Sequence, residues 1–346
     1  MKKALFIIII SIVFCGFSSV EVLEQCMEQV SQKETNKAKQ TCGEIVKESK
    51  NVAFVDIASD LITFMEFDEE KVINKPKKYL KSPFSKFMAA ETFYKQGYYE
   101  KAEDMYKEVA KYDIDKFKKA VSNEELGEDL IKELNRIILT SQTKLGIMLA
   151  ASNDEKEIKE GMKWLRKAVE QDSIEAFYPL GFYSYLYAND EKEYEEIFKY
   201  FFTAAKLGNK DAIVMLGIMY FTGNGVEENN LIACNLWATA ASAGHTGAKL
   251  LVNYEDLESY IKMFTSLKMM VSSDKEYKST LEYVNWLRDG KAKECLSKKQ
   301  LSEEELKEGL TWFFNMADMG LDFAQAYTSL YSLSQGDTKN AIEVLA

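Results

Sequence analysis

Apolar residues recur at helical spacing through most of the chain, and glycines divide them into pairs of short predicted helices. The clearest pair lies at 211–248. Its first helix ends at Gly223 and its second at Gly244, where a glycine favours a left-handed C-cap. Small residues at the facing positions let antiparallel helices approach closely, and larger apolar side chains fill the seam. These positions are Ala212, Leu216, Gly217, Tyr220, Ala233, Trp237, Ala240 and Ala241.

The same pattern returns along the chain with a regular period. Leu-Gly pairs stand at 145–146, 180–181 and 216–217, which gives spacings of 35 and 36 residues. The second helices of the three units align on Trp164 and Ala168, on Phe201, Ala205 and Gly208, and on Trp237, Ala241 and Gly244. A period in this range predicts a solenoid, in which each helix pair stacks on the next.

This pattern resembles the Sel1-like repeat, a relative of the tetratricopeptide repeat. The resemblance is carried by A-x-x-x-L-G-x-x-Y-x-x-G-x-G-V followed by A-x-x-x-W-x-x-A-A-x-x-G, which residues 212–244 match in both helices and in the loop. It implies an all-α fold, an α-solenoid of stacked antiparallel helix pairs. It also implies a non-catalytic scaffold or adaptor that binds other proteins. The resemblance extends over roughly 84–334, from a tetratricopeptide-like unit at 87–110, and is strongest at 141–252.

The chain is expected to have four parts. We predict a signal peptide at 1–18, a helical hairpin and linker at 19–80, the solenoid at 84–334 and a capping helix at 335–346. Beyond Val252 the repeat pattern weakens. A first helix over 279–290 and a second helix with Phe313, Ala317, Gly320 and Ala324 are predicted there. That second helix follows a capping box formed by Ser302 and Glu305.

The first eighteen residues have the pattern of a secretory leader. Two lysines precede an apolar run from Ala4 to Phe14, and small residues at 16 and 18 suit cleavage after Ser18. An uncleaved anchor is one alternative, although the run is shorter than the about 20 residues that span a bilayer. Lipidation at Cys15 is another alternative. The sequence disfavours it, because Phe14 stands where a lipidation signal has a small residue. We expect export to the periplasm or outer membrane, with surface exposure or secretion left open.

Composition limits the range of partners. The chain carries 44 basic and 55 acidic residues, a formal net charge of −11. Such an acidic chain is not expected to bind nucleic acid or to depend on anionic membrane. After cleavage of the leader no transmembrane span is predicted, and peripheral membrane association is left open. The expected partner is another envelope protein, or a host protein or peptide, since members of this family often support host interaction and virulence.

Two cysteines near the N-terminus are candidates for a disulfide. Cys26 and Cys42 lie eight residues either side of Glu34, the centre of a predicted hairpin turn, so the two helices would place them opposite each other. Export to an oxidising compartment favours the bond. The alternative is two unpaired thiols. The cysteines of the chain have no C-x-x-C spacing, so neither a zinc site nor a cofactor is predicted.

Catalytic chemistry finds little support in the residue pattern. The chain has one histidine, His245, which follows Gly244 and is interpreted as a cap of the next helix. Ser141-x-x-Lys144 and Ser272-x-x-Lys275 fit the S-x-x-K pattern of β-lactam enzymes, but no K-T-G follows them. An envelope hydrolase acting on β-lactam or peptidoglycan-like substrates remains the alternative function.

A further set of apolar residues is a candidate binding surface. On the first helices, the face turned away from the Leu-Gly pair is rich in aromatic side chains and methionine, which suit a partner peptide or helix. The resemblance implies that this face lies on the concave surface of the solenoid. The alternative is that the neighbouring unit or the chain ends cover it. The predicted groove residues are Tyr178, Phe182, Tyr183, Met215, Ile218, Met219 and Tyr254.

Overall fold

The described part of the chain is helical. In a computed structural model, residues 36–37, 40–43, 59, 80–121, 127–252, 301–334 and 337 are described, and every regular element among them is a helix. The all-α prediction is confirmed within these residues. The predicted leader lies outside them, and so does most of the predicted hairpin. By its internal contacts the chain forms two compact units, Met1–Ser173 and Ile174–Ala346. The predicted domain bounds stay a prediction.

The helices of the first unit pack on one another around one core. Helix α1 pairs with α2, α2 and the short α3 pack on α4, and α4 pairs with α5. Their shared core is rich in aromatic residues, among them the buried rings of Phe87, Phe93 and Tyr106. The helices are α1 (Pro83–Lys95), α2 (Tyr99–Ala110), α3 (Ile114–Val121), α4 (Gly127–Ala150) and α5 (Glu155–Glu170).

The second unit continues the same arrangement. From α6 to α12 each described helix packs on the one before it. Short turns make the consecutive helices antiparallel, except for α10 and α11, which are distant in sequence. Stacked helix pairs are therefore confirmed. After a 3₁₀ turn at Ile174–Ala176 come α6 (Phe177–Tyr187), α7 (Glu191–Lys206), α8 (Lys210–Thr222), α9 (Asn230–Ser242), α10 (Thr246–Leu251), α11 (Glu303–Asp318) and α12 (Asp322–Ser334).

Polar caps fix where the helices begin. Asn209, for example, accepts a hydrogen bond from the Ala212 N–H at 2.8 Å, which satisfies one of the free donors of the first turn of α8. Asp154, Asp190 and Asn229 cap α5, α7 and α9 in the same way. Ser302 and Glu305 form the predicted capping box at the start of α11, and this prediction is confirmed.

A left-handed residue follows each of the second helices α5, α7, α9 and α11. Gly208, Gly244 and Gly320 have φ near +90°, and Asp172 takes the same place with φ +59°. At each site the next N–H bonds back to a carbonyl five residues earlier, as from His245 to Ala240 at 2.9 Å. Successive sites are 36, 36 and 76 residues apart (208 − 172, 244 − 208 and 320 − 244). The last spacing contains an insertion between the two helices of a repeat.

This register corrects one predicted alignment. When positions are counted back from the left-handed residue, Leu165 in α5 aligns with Phe201 in α7 and Trp237 in α9. Trp164 does not occupy this position. The side chains of Leu165, Phe201 and Trp237 are fully buried. Each lies against the glycine of a Leu-Gly pair, where a Cβ on Gly146 would come within 2.7 Å of Leu165 and one on Gly217 within 2.3 Å of Trp237. Trp164 is only partly buried and contacts Glu160 and Lys167.

The last repeat pairs two helices that are distant in sequence. Helix α10 packs on α11 across the insertion. A Cβ on Gly247 would lie 2.5 Å from the Trp312 ring, and one on Gly309 would lie 2.8 Å from Leu250. Because these contacts are so close, α10 is the first helix of this repeat and α11 is its second helix. The predicted first helix at 279–290 lies outside the described residues.

Candidate partner-binding surface

Most of the predicted groove residues lie in the core of the second unit. Five of them are at most 4% exposed, so the prediction of an open apolar groove is wrong for these side chains. They are Phe182, Tyr183, Met215, Ile218 and Met219. Tyr178 is half-buried. Tyr254 lies outside the described residues.

The burial follows from the composition of the helices that carry these residues. Residues 212–221 of α8 contain no charged side chain, and a helix that is apolar on every side needs cover on every side. Helix α8 packs against α7 and also against α9. In α6 the Tyr178 ring lies 6.0 Å from the rings of Phe182 and Phe201, and burial raises the pKa of Tyr178. The structure supports the alternative, in which neighbouring repeats cover this face.

The single histidine is fully engaged as a helix cap. His245 Nδ1 accepts a hydrogen bond from the Ala248 N–H at 2.9 Å, so Nε2 carries the hydrogen and donates to Asp211 Oδ1 at 3.0 Å. Trp312 Nε1 donates to the same oxygen at 2.8 Å. The predicted cap is confirmed. With both nitrogens bonded and the residue 7% exposed, His245 has no free nitrogen to serve as a general base.

Asp211 holds this cluster together from the first turn of α8. Burial by itself raises the pKa of its carboxyl group, but the hydrogen bonds from His245 and Trp312 outweigh that effect. The pKa of Asp211 therefore lies below its ordinary value. The carboxylate thus ties the start of α8 to α10 and α11, which is a structural role.

The described S-x-x-K segment is part of the repeat core. Ser141 occupies the position that Ala176, Ala212 and Ala248 hold in the following repeats, and all four residues are fully buried. Its Oγ has no hydrogen-bond partner among the described residues and is out of reach of a substrate. Lys144 donates to Glu91 Oε1 at 2.6 Å. The second segment, at 272–275, lies outside the described residues.

An exposed set of tyrosines lies instead at the turn between α1 and α2, and we name it the tyrosine cluster. Tyr94, Tyr98 and Tyr99 are 41%, 47% and 58% exposed. The Tyr94 and Tyr99 rings meet edge to face at 5.4 Å, and the Tyr98 ring lies 6.4 Å from the buried Phe93 ring at 89°. Edge-to-face contacts of this kind hold aromatic rings in fixed orientations. Among the described residues, no hydrogen-bond partner is found for the three hydroxyls.

A partly buried ionic network lies beside the cluster. Glu91 Oε1 accepts hydrogen bonds from the Tyr106 hydroxyl at 2.7 Å and from Lys144 Nζ at 2.6 Å, which joins α1, α2 and α4. Burial, together with the bond to Glu91, raises the pKa of Tyr106. The Lys144 ammonium lies 5.8 Å from the Tyr94 ring centroid, and Lys101 lies 5.0 Å from that of Tyr98. The tyrosines are thus positioned by contacts within the unit.

Sequence reasoning missed this surface, although the sequence holds a signal for it. The residues of the cluster entered only as part of the tetratricopeptide-like unit at 87–110. The segment 93–99, FYKQGYY, places four aromatic residues within seven around a glycine turn. Helix α2 can bury only one face against α1 and α4, so aromatic side chains beside the turn remain exposed.

Other site chemistry is limited in the described residues. Cys42 and Cys234 are each buried and disulfide-bonded, but Cys26 lies outside the described range, so its pairing with Cys42 stays a prediction. Among the described residues no group of three or more histidine, cysteine or carboxylate side chains could hold a metal ion. Within the same residues no helix is long and apolar enough to cross a membrane.

Comparison with known families identifies the repeat. The Sel1 repeat family model matches residues 140–173 and 210–245, which are the α4–α5 and α8–α9 units. The predicted resemblance to Sel1-like repeats is confirmed by these two matches. The intervening α6–α7 unit has the same helix pair and the same 36-residue register. No curated protein matches the chain.

Two solved structures show a distant likeness. A Sel1 repeat protein from Oxalobacter formigenes shares 19% identity over 75% of this chain and 96% of its own, with a TM-score of 0.34. A protective antigen present in uropathogenic Escherichia coli strains, displaying an SLR fold, shares 15% identity over 93% of this chain and 71% of its own, with a TM-score of 0.33. Because both TM-scores are low, the assignment of the fold rests on the helix register and the repeat matches.

Proposed function

We propose that this chain is an exported, non-catalytic scaffold that binds another protein in the bacterial cell envelope. Sel1 repeats support a role in protein interaction, and two segments of the chain match that family. The observation that carries the proposal is the tyrosine cluster, a preorganised and exposed aromatic surface in a repeat fold. The partner is an envelope or host protein, and a role in host interaction and virulence is proposed by analogy with the family.

The chemistry of the cluster suits a protein partner. Tyrosine is enriched in interface cores, where its ring provides contact area and its hydroxyl provides a hydrogen bond at low cost in side-chain entropy. The rings already have contacts that hold them in place, Tyr98 with Phe93 and Lys101, Tyr94 with Lys144, and Tyr99 with Tyr94. Little ordering is therefore needed on binding. Aromatic anchors of this kind often contribute about 2 kcal/mol or more each.

A capture experiment tests the surface directly. The full chain and its Tyr94→Ala/Tyr99→Ala variant would be used to capture partners from crosslinked envelope, followed by mass spectrometry. The matched control is Tyr187→Ala, since Tyr187 is 50% exposed but lies in the other unit. We expect the double variant to lose specific partners that the parent and the control retain. Equal capture by all three proteins would contradict the assignment of the cluster as the binding surface.

Export is the second part of the proposal. It is supported by the leader pattern and by the disulfide at Cys42, because disulfides persist mainly in oxidising compartments. We expect a mature N-terminus near Ser19 in the periplasm or at the outer membrane. N-terminal sequencing that finds an intact Met1 on cytoplasmic protein would contradict export. Peptide mapping without reductant would test the proposed Cys26–Cys42 bond, which adds about 3 kcal/mol in the chain-entropy model.

No observation favours the hydrolase alternative. A serine enzyme needs an accessible nucleophile with an adjacent base. Ser141 is fully buried in the repeat core, and both nitrogens of His245 are hydrogen-bonded. Incubation of the purified protein with a chromogenic β-lactam tests this directly, and we expect no hydrolysis above the buffer rate.

A further inference from the structure

Two exposed rings of the tyrosine cluster are in direct contact with each other. The ring centroids of Tyr94 and Tyr99 lie 5.4 Å apart, with an angle of 71° between the ring planes. At this separation the edge of one ring touches the face of the other. Tyr94 lies near the end of α1 and Tyr99 begins α2, with the left-handed Gly97 in the turn between them. The ring contact therefore bridges the turn that joins two helices.

A second tyrosine pair has the same separation but a different environment. The Tyr185 and Tyr194 rings also lie 5.4 Å apart, and both side chains are half-buried. The Tyr185 hydroxyl accepts a hydrogen bond from Asn224 at 3.0 Å, and the Tyr194 hydroxyl donates to a backbone carbonyl at 3.4 Å. Of these two pairs, Tyr94 and Tyr99 alone combine a ring contact with exposed side chains.

This combination is what the oxidative coupling of tyrosine requires. A one-electron oxidant removes a hydrogen atom from the phenol and leaves a radical that is shared between the oxygen and the ortho carbons of the ring. Two such radicals join through a carbon–carbon bond when their rings meet. The phenols must therefore be accessible to the oxidant, and the two rings must be neighbours.

We propose that Tyr94 and Tyr99 form an oxidative modification site, at which a peroxidase and hydrogen peroxide join the two rings as dityrosine. Each phenol gives one hydrogen atom to the oxidant, and these two hydrogen atoms reduce one hydrogen peroxide to two molecules of water. One ortho carbon of each ring forms the new carbon–carbon bond. The hydrogen on each of these carbons then moves to the phenol oxygen, so both rings become aromatic again and both hydroxyls are retained.

Coupling within one chain is favoured over coupling between chains. Rings that are already in contact react as if at a very high local concentration, whereas two chains in dilute solution must first meet. The net charge of −11 on each chain opposes that encounter. Because both side chains are exposed, they have room for the small shift that bond formation requires. The cross-link needs the two rings and the oxidant alone, so it does not depend on partner binding at the cluster.

Peptide mapping of the oxidised full chain tests this proposal. The chain is treated with a haem peroxidase and hydrogen peroxide, digested with trypsin and examined by mass spectrometry. Trypsin cleaves after Lys95 and Lys101, so the two tyrosines fall in separate peptides, 87–95 and 96–101. We expect these peptides to be joined, with a mass equal to their sum less two hydrogen atoms. The fraction of joined peptide should not depend on protein concentration.

The decisive variant is Tyr99→Phe, because phenylalanine keeps the ring but has no phenol hydrogen to lose. We expect the yield of joined peptide to fall about tenfold or more, since the two coupling radicals no longer form side by side. Tyr94→Phe should have the same effect. The matched control is Tyr98→Phe, which lies in the same peptide and is exposed, but has its ring against Phe93. This control should form the cross-link as the parent does.

Four results would overturn the proposal. The parent could yield no joined peptide, or Tyr99→Phe could form it as readily as the parent. The control Tyr98→Phe could lose the product to the same extent as Tyr99→Phe. Cross-links could form between chains alone, with a yield that rises with protein concentration. As an internal comparison, we expect no joined peptide from Tyr185 and Tyr194, and an equal yield there would contradict the requirement for exposure.

Discussion

Helix α8 and the tyrosine cluster are both rich in large apolar side chains, but only the tyrosine cluster is accessible. Met215, Ile218 and Met219 of α8 are fully buried, whereas Tyr94 and Tyr99 are 41% and 58% exposed. Helix α8 is packed on two neighbouring helices and has no charged residue between Ala212 and Phe221. The cluster lies at a turn, where two pairs of aromatic residues flank the segment Lys95-Gln96-Gly97.

This difference shows which apolar residues are free to bind a partner. A helix with no polar face gains stability by being covered on every side, so its apolar residues contribute to folding. Aromatic residues beside a polar turn are held on one side by the core and remain open on the other. A surface available to a partner is therefore one whose apolar side chains are exposed and already held in position. Apolar content alone does not identify it.

The largest expected effect comes from opening a cavity in α8. Ile218→Ala removes a fully buried side chain and should lower the free energy of unfolding by about 2–5 kcal/mol. Tyr99→Ala, at a 58% exposed position, should change it by no more than about 0.5 kcal/mol. Thermal or urea unfolding of the two variants checks this contrast. If both variants were equally stable, the burial of α8 would be in error.

A second prediction tests the close approach of α8 to α9. In Gly217→Ala the new Cβ would lie 2.3 Å from Trp237 Nε1, which also donates to the Val214 carbonyl at 3.2 Å. The indole ring must move, so we expect a loss of about 1–3 kcal/mol. Gly43→Ala is the control, because its Cβ meets nothing within 4 Å. A neutral Gly217→Ala in urea unfolding would show that the two helices are farther apart.

The third prediction concerns the polar start of α8. The folded-state pKa of Asp211 lies below its unfolded value, which is about 3.9 for an aspartate. Asp211 therefore stabilises the fold above that unfolded pKa, and the contribution is lost as pH falls through the folded pKa. Asp211→Asn should lower stability at neutral pH and should reduce the loss of stability below about pH 4.

Urea unfolding measured from neutral pH into the acid range checks the role of Asp211. Asp318→Asn, at an exposed position, is the control and should follow the parent. The assignment of Asp211 would fail if its asparagine variant lost stability on acidification as steeply as the parent.

The smallest effect is expected at the turn after α5. Asp172 has φ +59° where the other repeats use glycine, and a left-handed conformation is unfavourable for a residue with a Cβ. Asp172→Gly should raise the free energy of unfolding by up to about 1 kcal/mol, and the reverse change Gly244→Asp should lower it by a similar amount. A small rise in melting temperature for the first variant and a fall for the second would support the register.

Much of the fold follows from local signals in the sequence. The Leu-Gly pairs, the polar caps and the glycines that follow α7, α9 and α11 are short-range features, so the helices and the 36-residue period could be predicted. The alignment of Trp164 failed because two adjacent large residues compete for one position. Leu165 occupies it, since the turn at Asp172 fixes the rotation of α5.

The candidate site was harder to predict, because exposure depends on which helices lie on both sides. Periodicity identified one seam of α8, but it could not show that the neighbouring helices bury its other sides as well. It could not identify the tyrosine cluster either. The fixed orientation of Tyr94 depends on Lys144, which is fifty residues away in sequence and 5.8 Å from the ring. Contacts at that separation are set by tertiary packing.

Hydroxyl-radical footprinting of the free protein, read by mass spectrometry, tests the central claim most directly. Methionine and tyrosine side chains are both readily modified when exposed, so one experiment compares the two regions. We predict strong labelling of Tyr94 and Tyr99, and of Met319 as an internal standard at 38% exposure, with Met215 and Met219 protected. Labelling of Met215 and Met219 at the rate of Met319, with the tyrosines protected, would contradict the account.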